Sequence, residues 1–215
     1  MRLNRCTALR ITYRYGRAAS SGSVVGNDPV NKLDPTGTTC VALEKGKGYD
    51  CKVDDNKGNF SKKEIALVNR AYTAAVNKLM AHPSRSVTVR LQGKTLKTTA
   101  GLVASSLISA KVVTGNGTAR ASTVGGGLTP GRGENGNAVT TINRNALYSD
   151  RSRGTSHIRS DLGRTFIHEG IHQRPVDSVM APLYRANPDK FNSDHREPYN
   201  DASSRLYQMA EPDDE

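Results

Sequence analysis

The chain has 215 residues, enough for one domain with a real core or a small domain with an appendage. With 35% apolar residues, no Trp and only three Phe, an aromatic platform for stacking nucleic-acid bases is not expected. The net charge of +11 is uneven: residues 189–215 carry eight acids and three bases (net −5), and the other 28 bases and 12 acids leave +16 elsewhere, which suits an acidic partner or simply a well-solvated surface.

No stretch approaches the roughly 18 apolar residues of a membrane span. The basic start, Met1–Arg17, lacks the apolar run of a secretory signal, so export by another route is expected. Residues 1–37 are rich in Arg, Ser, Gly, Asn and Pro, with no periodicity beyond Ile11–Tyr15, and end in the turn-forming cluster Pro29–Gly37. They read as a tail or linker.

Thr39–Leu43 and Tyr49–Val53 then read as short strands around the turn Lys45–Gly48. Cys40 and Cys51 could face each other across that hairpin, as a disulfide or as half-buried thiols; no CxxC pair exists for a thiolate zinc knuckle. Ser61 with Glu64 forms a capping box, and the spacing of Ile65, Val68, Tyr72, Val76 and Leu79 predicts a helix over Lys62–Met80, stopping before His82-Pro83. Ser86–Leu91 alternates as a strand, and Leu102–Val113 is apolar, helix or strand. The Gly-rich Gly115–Gly136 predicts a flexible loop. Its GxGxxG, Gly131–Gly136, has no predicted strand before it or helix after it and is not read as a dinucleotide site. Ala138–Ile142 with Ala146–Tyr148 predicts an edge strand. A polar turn, Ser149–Ser156, leads to a helix over Ser160–Gln173, followed by helices over Ser178–Ala186 and Pro198–Met209.

The chemistry-bearing segment is His168-Glu169-Gly170-Ile171-His172, an HExxH. With five His and seven Glu in the chain, chance gives the pattern roughly 0.004 times, so the context decides. Ser160 can cap the helix, Asp161 lies in its first turn, and no Pro intervenes before Pro175. On a helix, residues i and i+4 stand one above the other, so both imidazoles can point at one ion while Leu162, Ile167 and Ile171 face a core. Gly170 and Ile171 add no charge beside that ion. His168, His172 and a third ligand would hold Zn²⁺ with one position left for water, whose pKa the ion lowers toward about 7. Glu169 can reach that water as general base and pass the proton to the leaving amine.

Four residues are candidates for the third ligand. His195 is preferred, because it is the remaining His after the motif and imidazole suits zinc. Asp201 is the alternative, although it could equally serve as a first-turn helix acid; Glu197 and Asp194 complete the set. Tyr199 is a candidate oxyanion donor or a packed helix residue. His82 and His157 read as structural or surface residues, with His157 also near enough in sequence to approach a substrate.

Over roughly residues 138–209, the HExxH helix with an edge strand before it and helices after it resembles the zincin metallopeptidases. The resemblance implies an α+β, zincin-like fold with a small mixed sheet, an active-site helix, C-terminal helices, and an edge strand that pairs with an extended substrate. Among such proteins an acidic third ligand on a following helix is the commoner solution, which keeps Asp201 open.

A second resemblance lies near the start. Pro29-x-x-x-x-Asp34-Pro35-x-Gly37-Thr38 resembles the end of the repeat shell in Rhs/YD-repeat polymorphic toxins, and Tyr13-Arg14-Tyr15-Gly16 resembles the YxYG-type sequence just upstream of it. Thr38 stands where that motif has Leu, and the spacer Arg17–Gly26 is longer than usual. The implied arrangement is a shell remnant over 1–37 and a zinc metallopeptidase toxin over 38–215. Such a cargo is secreted by a specialised route without a signal peptide and acts as a monomer on a protein inside the target cell. Its expected partners are that substrate, a cognate immunity protein and the delivery shell. The alternative is a nuclease or nucleic-acid-binding toxin of the same shell type using the basic surface; no nuclease motif is found, and nucleic acid is not the expected partner.

Overall fold

The computed structural model describes residues 40–129, 138–148, 155–173 and 176–208, except for the side chains of Lys45 and residues 155–157. The expectations for the tail 1–37, the GxGxxG, residues 149–154 of the turn after Tyr148 and the side chain of His157 lie outside that set; Thr155 and Ser156, expected in that turn, are helical. The described residues form a mixed α+β structure of small sheets and six helices.

β1 (Cys40–Ala42) and β2 (Tyr49–Cys51) form an antiparallel hairpin in which Cys40 and Cys51 are register partners, joined by a disulfide. α1 (Lys62–Ala81) begins with the expected capping box: the Glu64 carboxylate accepts the Ser61 backbone N–H, and the Ser61 hydroxyl accepts the Glu64 N–H. One face of α1 buries Val68, Tyr72, Val76 and Leu79. A second face presents Asn69, Thr73 and Asn77, spaced by four, so they stack along the helix. Their side chains bond the main chain of Val53, Cys51 and Tyr49, and dock the hairpin as a neighbouring strand would.

β3 (Ser86–Leu91) and β4 (Lys94–Thr99) form a second hairpin, turned by Gln92 and Gly93, both at positive φ (46° and 77°). α2 (Ala100–Ser109) follows, capped by the Thr99 hydroxyl, and then β5 (Lys111–Gly115). The apolar run 102–113 is therefore a helix and a strand in succession. β6 (Ala121–Val124) and β7 (Val139–Asn143) complete a three-stranded sheet of order β5-β7-β6, with β5 parallel and β6 antiparallel to β7.

Two expectations are corrected here. Of the segment predicted as an edge strand, Val139–Asn143 is the central strand, β7, because both of its neighbours come from earlier in the chain, and Arg144–Leu147 is a 3-10 turn. The edge strand beside it, β6, lies inside the stretch read as a flexible Gly-rich loop. Its four residues, Ala-Ser-Thr-Val, are too short and too polar to announce a strand.

α3 (Thr155–Ile171) carries the HExxH as far as Ile171, with His172 the residue just past its end. It begins five residues before the expected Ser160, which lies within the helix and accepts a hydrogen bond from Arg164 rather than capping. Beyond it come a 3-10 turn (Ser178–Met180), α4 (Ala181–Ala186), α5 (Pro188–Asp194) and α6 (Arg196–Gln208). Sequence patterning had not separated α5, a short helix with Asn187 as N-cap.

The core sits where α1, α2, α3 and α6 meet. Tyr72 stacks on Phe166 with ring centroids 4.6 Å apart, and its hydroxyl donates to the Leu107 carbonyl. Leu162, Ile167 and Ile171 are fully buried, as the helical spacing predicted. Each such side chain contributes about 1.5–3 kcal/mol by leaving water. α3 is tightly pinned at two glycines. A Cβ on Gly163 would run into the Tyr207 ring of α6, and one on Gly170 would meet Val103 and Leu107 of α2. Gly170 in the HExxH thus answers to helix packing as well as to keeping charge away. Among the described residues no helix is long and apolar enough to cross a membrane.

Candidate metal centre

His168 in the last turn of α3 and His172, the residue just past its end, meet His195 at the junction of α5 and α6. One ligand atom from each lies within 4.8 Å of the others. Burial of Leu162, Phe166 and Ile171 against the core turns the opposite side of α3 toward this cluster. His195 sits on an aromatic ladder. Phe191, His195 and Tyr199 are spaced by four, and backbone bonds from His195 N–H to Phe191 and from Tyr199 N–H to His195 carry the helical pattern across the junction. Phe191 stacks on the His195 ring (5.1 Å between centroids), and Tyr199 stacks on His172 (4.7 Å). Both aromatic residues are buried, so the rings cannot swing away freely.

Each imidazole is held from behind through Nδ1. His168 faces Asn200 Oδ1 at 3.0 Å, His172 faces Asp177 Oδ2 at 2.8 Å, and His195 faces the Phe191 and Asn192 carbonyls at 3.0 and 3.1 Å. These oxygens accept, so every Nδ1 carries the proton and every Nε2 is left with a bare lone pair. Burial, reinforced by the neighbouring imidazoles, holds His168 far below the ordinary histidine range. Burial and His195 lower His172 to about 3, and burial lowers His195 as well. The Nε2 atoms of His168 and His172 lie 3.2 Å apart with no proton to share between them. Such converging lone pairs repel one another unless a cation lies among them, and three neutral imidazoles with their outer nitrogens tied down are a fitting donor set for Zn²⁺.

Asp177, not anticipated from the sequence, organises the rear of the cluster. It is fully buried in the turn after α3, where it holds His172 through Oδ2 and accepts the Tyr199 hydroxyl through Oδ1 at 2.5 Å. Burial pushes its carboxyl up to about 7, opposed by the Tyr199 hydrogen bond. The Tyr199 hydroxyl, the candidate oxyanion donor, donates to Asp177 inside the protein, and burial beside that carboxylate raises its pKa far above the ordinary range.

The acidic alternatives for the third ligand are corrected. Asp201 is exposed on α6 and pairs with Arg205 at 3.8 Å, Glu197 is exposed, and Asp194 binds Lys190 and Gln92. Of the four candidates the fold brings only His195 to the His168–His172 pair.

Glu169 is buried, with Oε2 accepting the Thr123 hydroxyl of β6 at 2.7 Å. Among the described residues its carboxylate makes no other hydrogen bond. Burial pushes its carboxyl up to about 7, against the lowering effect of Thr123. The loop after β6 seals the end of α3: Gly127 N–H donates to the His172 carbonyl, and Gly126 lies too close to that oxygen for any side chain. Asn200 and Thr123 were missed because nothing in their local sequence marks them. Asp177 carried only the weak signal of an acid five residues past the motif.

No protein-family model, curated protein or solved structure matches the chain significantly.

Proposed function

We propose that the chain is a zinc-dependent metalloendopeptidase, a hydrolase with the three-histidine cluster as its metal centre. One observation carries the reading: His168, His172 and His195 are each tied through Nδ1 to an oxygen, so three Nε2 lone pairs converge. Bound there, zinc would polarise a peptide carbonyl and lower the pKa of a water toward about 7. Glu169 does the proton work. Its carboxylate takes the proton of the attacking water and returns it to the leaving nitrogen. Asp177 and Asn200 fix the ring orientations so that the lone pairs stay aimed.

A zincin-like arrangement is part of this proposal. β6 runs beside the HExxH helix, pairs with β7 on one side only, and has no strand on its other side among the described residues. That edge offers main-chain N–H and C=O groups to an extended peptide, as strand-addition recognition requires. With the shell-like residues near the start, the reading extends to a delivered toxin that cleaves a protein in a target cell. The test is Glu169→Gln in the full chain with zinc supplied. It should keep the metal and lose both peptide cleavage and toxicity; full toxicity in that variant would end the proposal.

A further inference from the structure

A hydrogen-bond chain runs beneath Glu169. Gln173 Nε2 donates to Thr140 Oγ1 at 2.8 Å, Thr140 and Thr123 hydroxyls lie 3.2 Å apart, and Thr123 donates to Glu169 Oε2 at 2.7 Å. Its members come from the sheet and from the end of α3. Thr123 and Thr140 are direct cross-strand partners of β6 and β7, so they share a face of the sheet. Glu169 lies in the last turn of α3, and Gln173 lies two residues past its end, in the closing turn where His172 N–H bonds the Glu169 carbonyl and Gln173 N–H bonds the Gly170 carbonyl.

The direction of the chain follows from proton counting. An amide nitrogen only donates, an ionised carboxylate only accepts, and each hydroxyl has one proton to give. With the proton of Thr123 on Glu169, that of Thr140 must go to Thr123, and the amide of Gln173 completes the row. Successive dipoles then point the same way and reinforce one another, in a place where Thr140 and Gln173 are buried from water. Among the described residues Glu169 has no other side-chain partner.

We propose that Thr123 is a positioning residue for Glu169. It pins Oε2 to the sheet so that Oε1 alone is left for the attacking water, and Thr140 and Gln173 keep its proton aimed at the carboxylate. The inference rests on Glu169 acting as the general base proposed above.

Thr123→Val removes the hydroxyl and keeps the branched shape, whereas Thr123→Ser keeps the hydroxyl. Full-length wild type and both variants, loaded with zinc, are assayed on fluorescently labelled casein. Thr123→Val should lower kcat about 10- to 100-fold at unchanged KM and zinc content, and Thr123→Ser should recover most of the loss. Crystal structures of the metal-free proteins give a second readout, independent of activity. Glu169 Oε2 should contact Thr123 in wild type and turn away in Thr123→Val. Should Thr123→Val fail to fold, Thr123→Ser and Thr140→Val replace it, the latter leaving Thr123 free to rotate and the carboxylate spread over more than one orientation. Wild-type kcat in Thr123→Val, equal losses in the Val and Ser variants, or an unmoved Glu169 carboxylate in the valine variants would overturn the proposal. If wild type cleaves nothing while Glu169→Gln is equally inert, the general-base reading fails, and the crystal structures still decide the role of Thr123.

Discussion

The Tyr199 hydroxyl donates a 2.5 Å hydrogen bond to Asp177, and both groups are buried. Because the other oxygen of Asp177 holds His172, the ring stacked on His172 and the carboxylate behind it form one unit. Asp177→Asn should weaken zinc binding about 10- to 100-fold, since the outer partner of a ligating histidine sets its tautomer and aim. Competition with a chromophoric chelator measures it; an unchanged affinity would remove Asp177 from the centre.

Tyr199→Phe separates two roles for the same residue. As a support for Asp177, its loss leaves a buried acceptor short of a partner and should cost about 1–3 kcal/mol of stability together with weaker zinc binding. As an oxyanion donor, its loss would instead cut kcat about 100-fold or more with zinc and stability intact. Denaturant unfolding and turnover on the same preparation distinguish them, and the first outcome is expected.

Much of this was legible from residue spacing. α1, its capping box, the hairpin of Cys40 and Cys51, and the placing of His168 and His172 together at the end of one helix all follow from local pattern. What lay hidden depends on contacts distant in sequence. β6 is four polar residues whose pairing with β7 exists only in the folded sheet. Thr123 meets Glu169 from 46 positions away, and Asn200 meets His168 from 32. The choice among His195, Asp194, Glu197 and Asp201 turned on the Phe191–His195–Tyr199 ladder. Its spacing of four was present in the sequence, but it crosses a helix junction that patterning did not place.

Gly170→Val tests the packing of the HExxH helix. Its side chain would press on Val103 and Leu107, and overpacking of this kind costs about 1–3 kcal/mol. The expected result is a lower denaturant midpoint at unchanged m-value.

The Glu64 capping box gives a dependence on pH that is independent of the metal centre. The Ser61 backbone N–H, then the Ser61 hydroxyl, and then Tyr148 and Arg144 hold the Glu64 carboxyl below its ordinary value. A carboxyl lowered on folding stabilises the protein above its unfolded pKa of about 4.3, and that contribution disappears as the pH falls through the lower folded value. Wild type and Glu64→Gln should therefore differ in stability at neutral pH and converge on acidification below about pH 4, as measured by urea unfolding across that range.

The metal centre itself is tested most directly by anomalous scattering at the zinc edge from crystals of the full chain grown with zinc. The account predicts one zinc per chain, about 2.0–2.1 Å from the Nε2 atoms of His168, His172 and His195, with Asp201 remaining on the surface. No zinc at that cluster, or a zinc bound through Asp201 in place of His195, would contradict it.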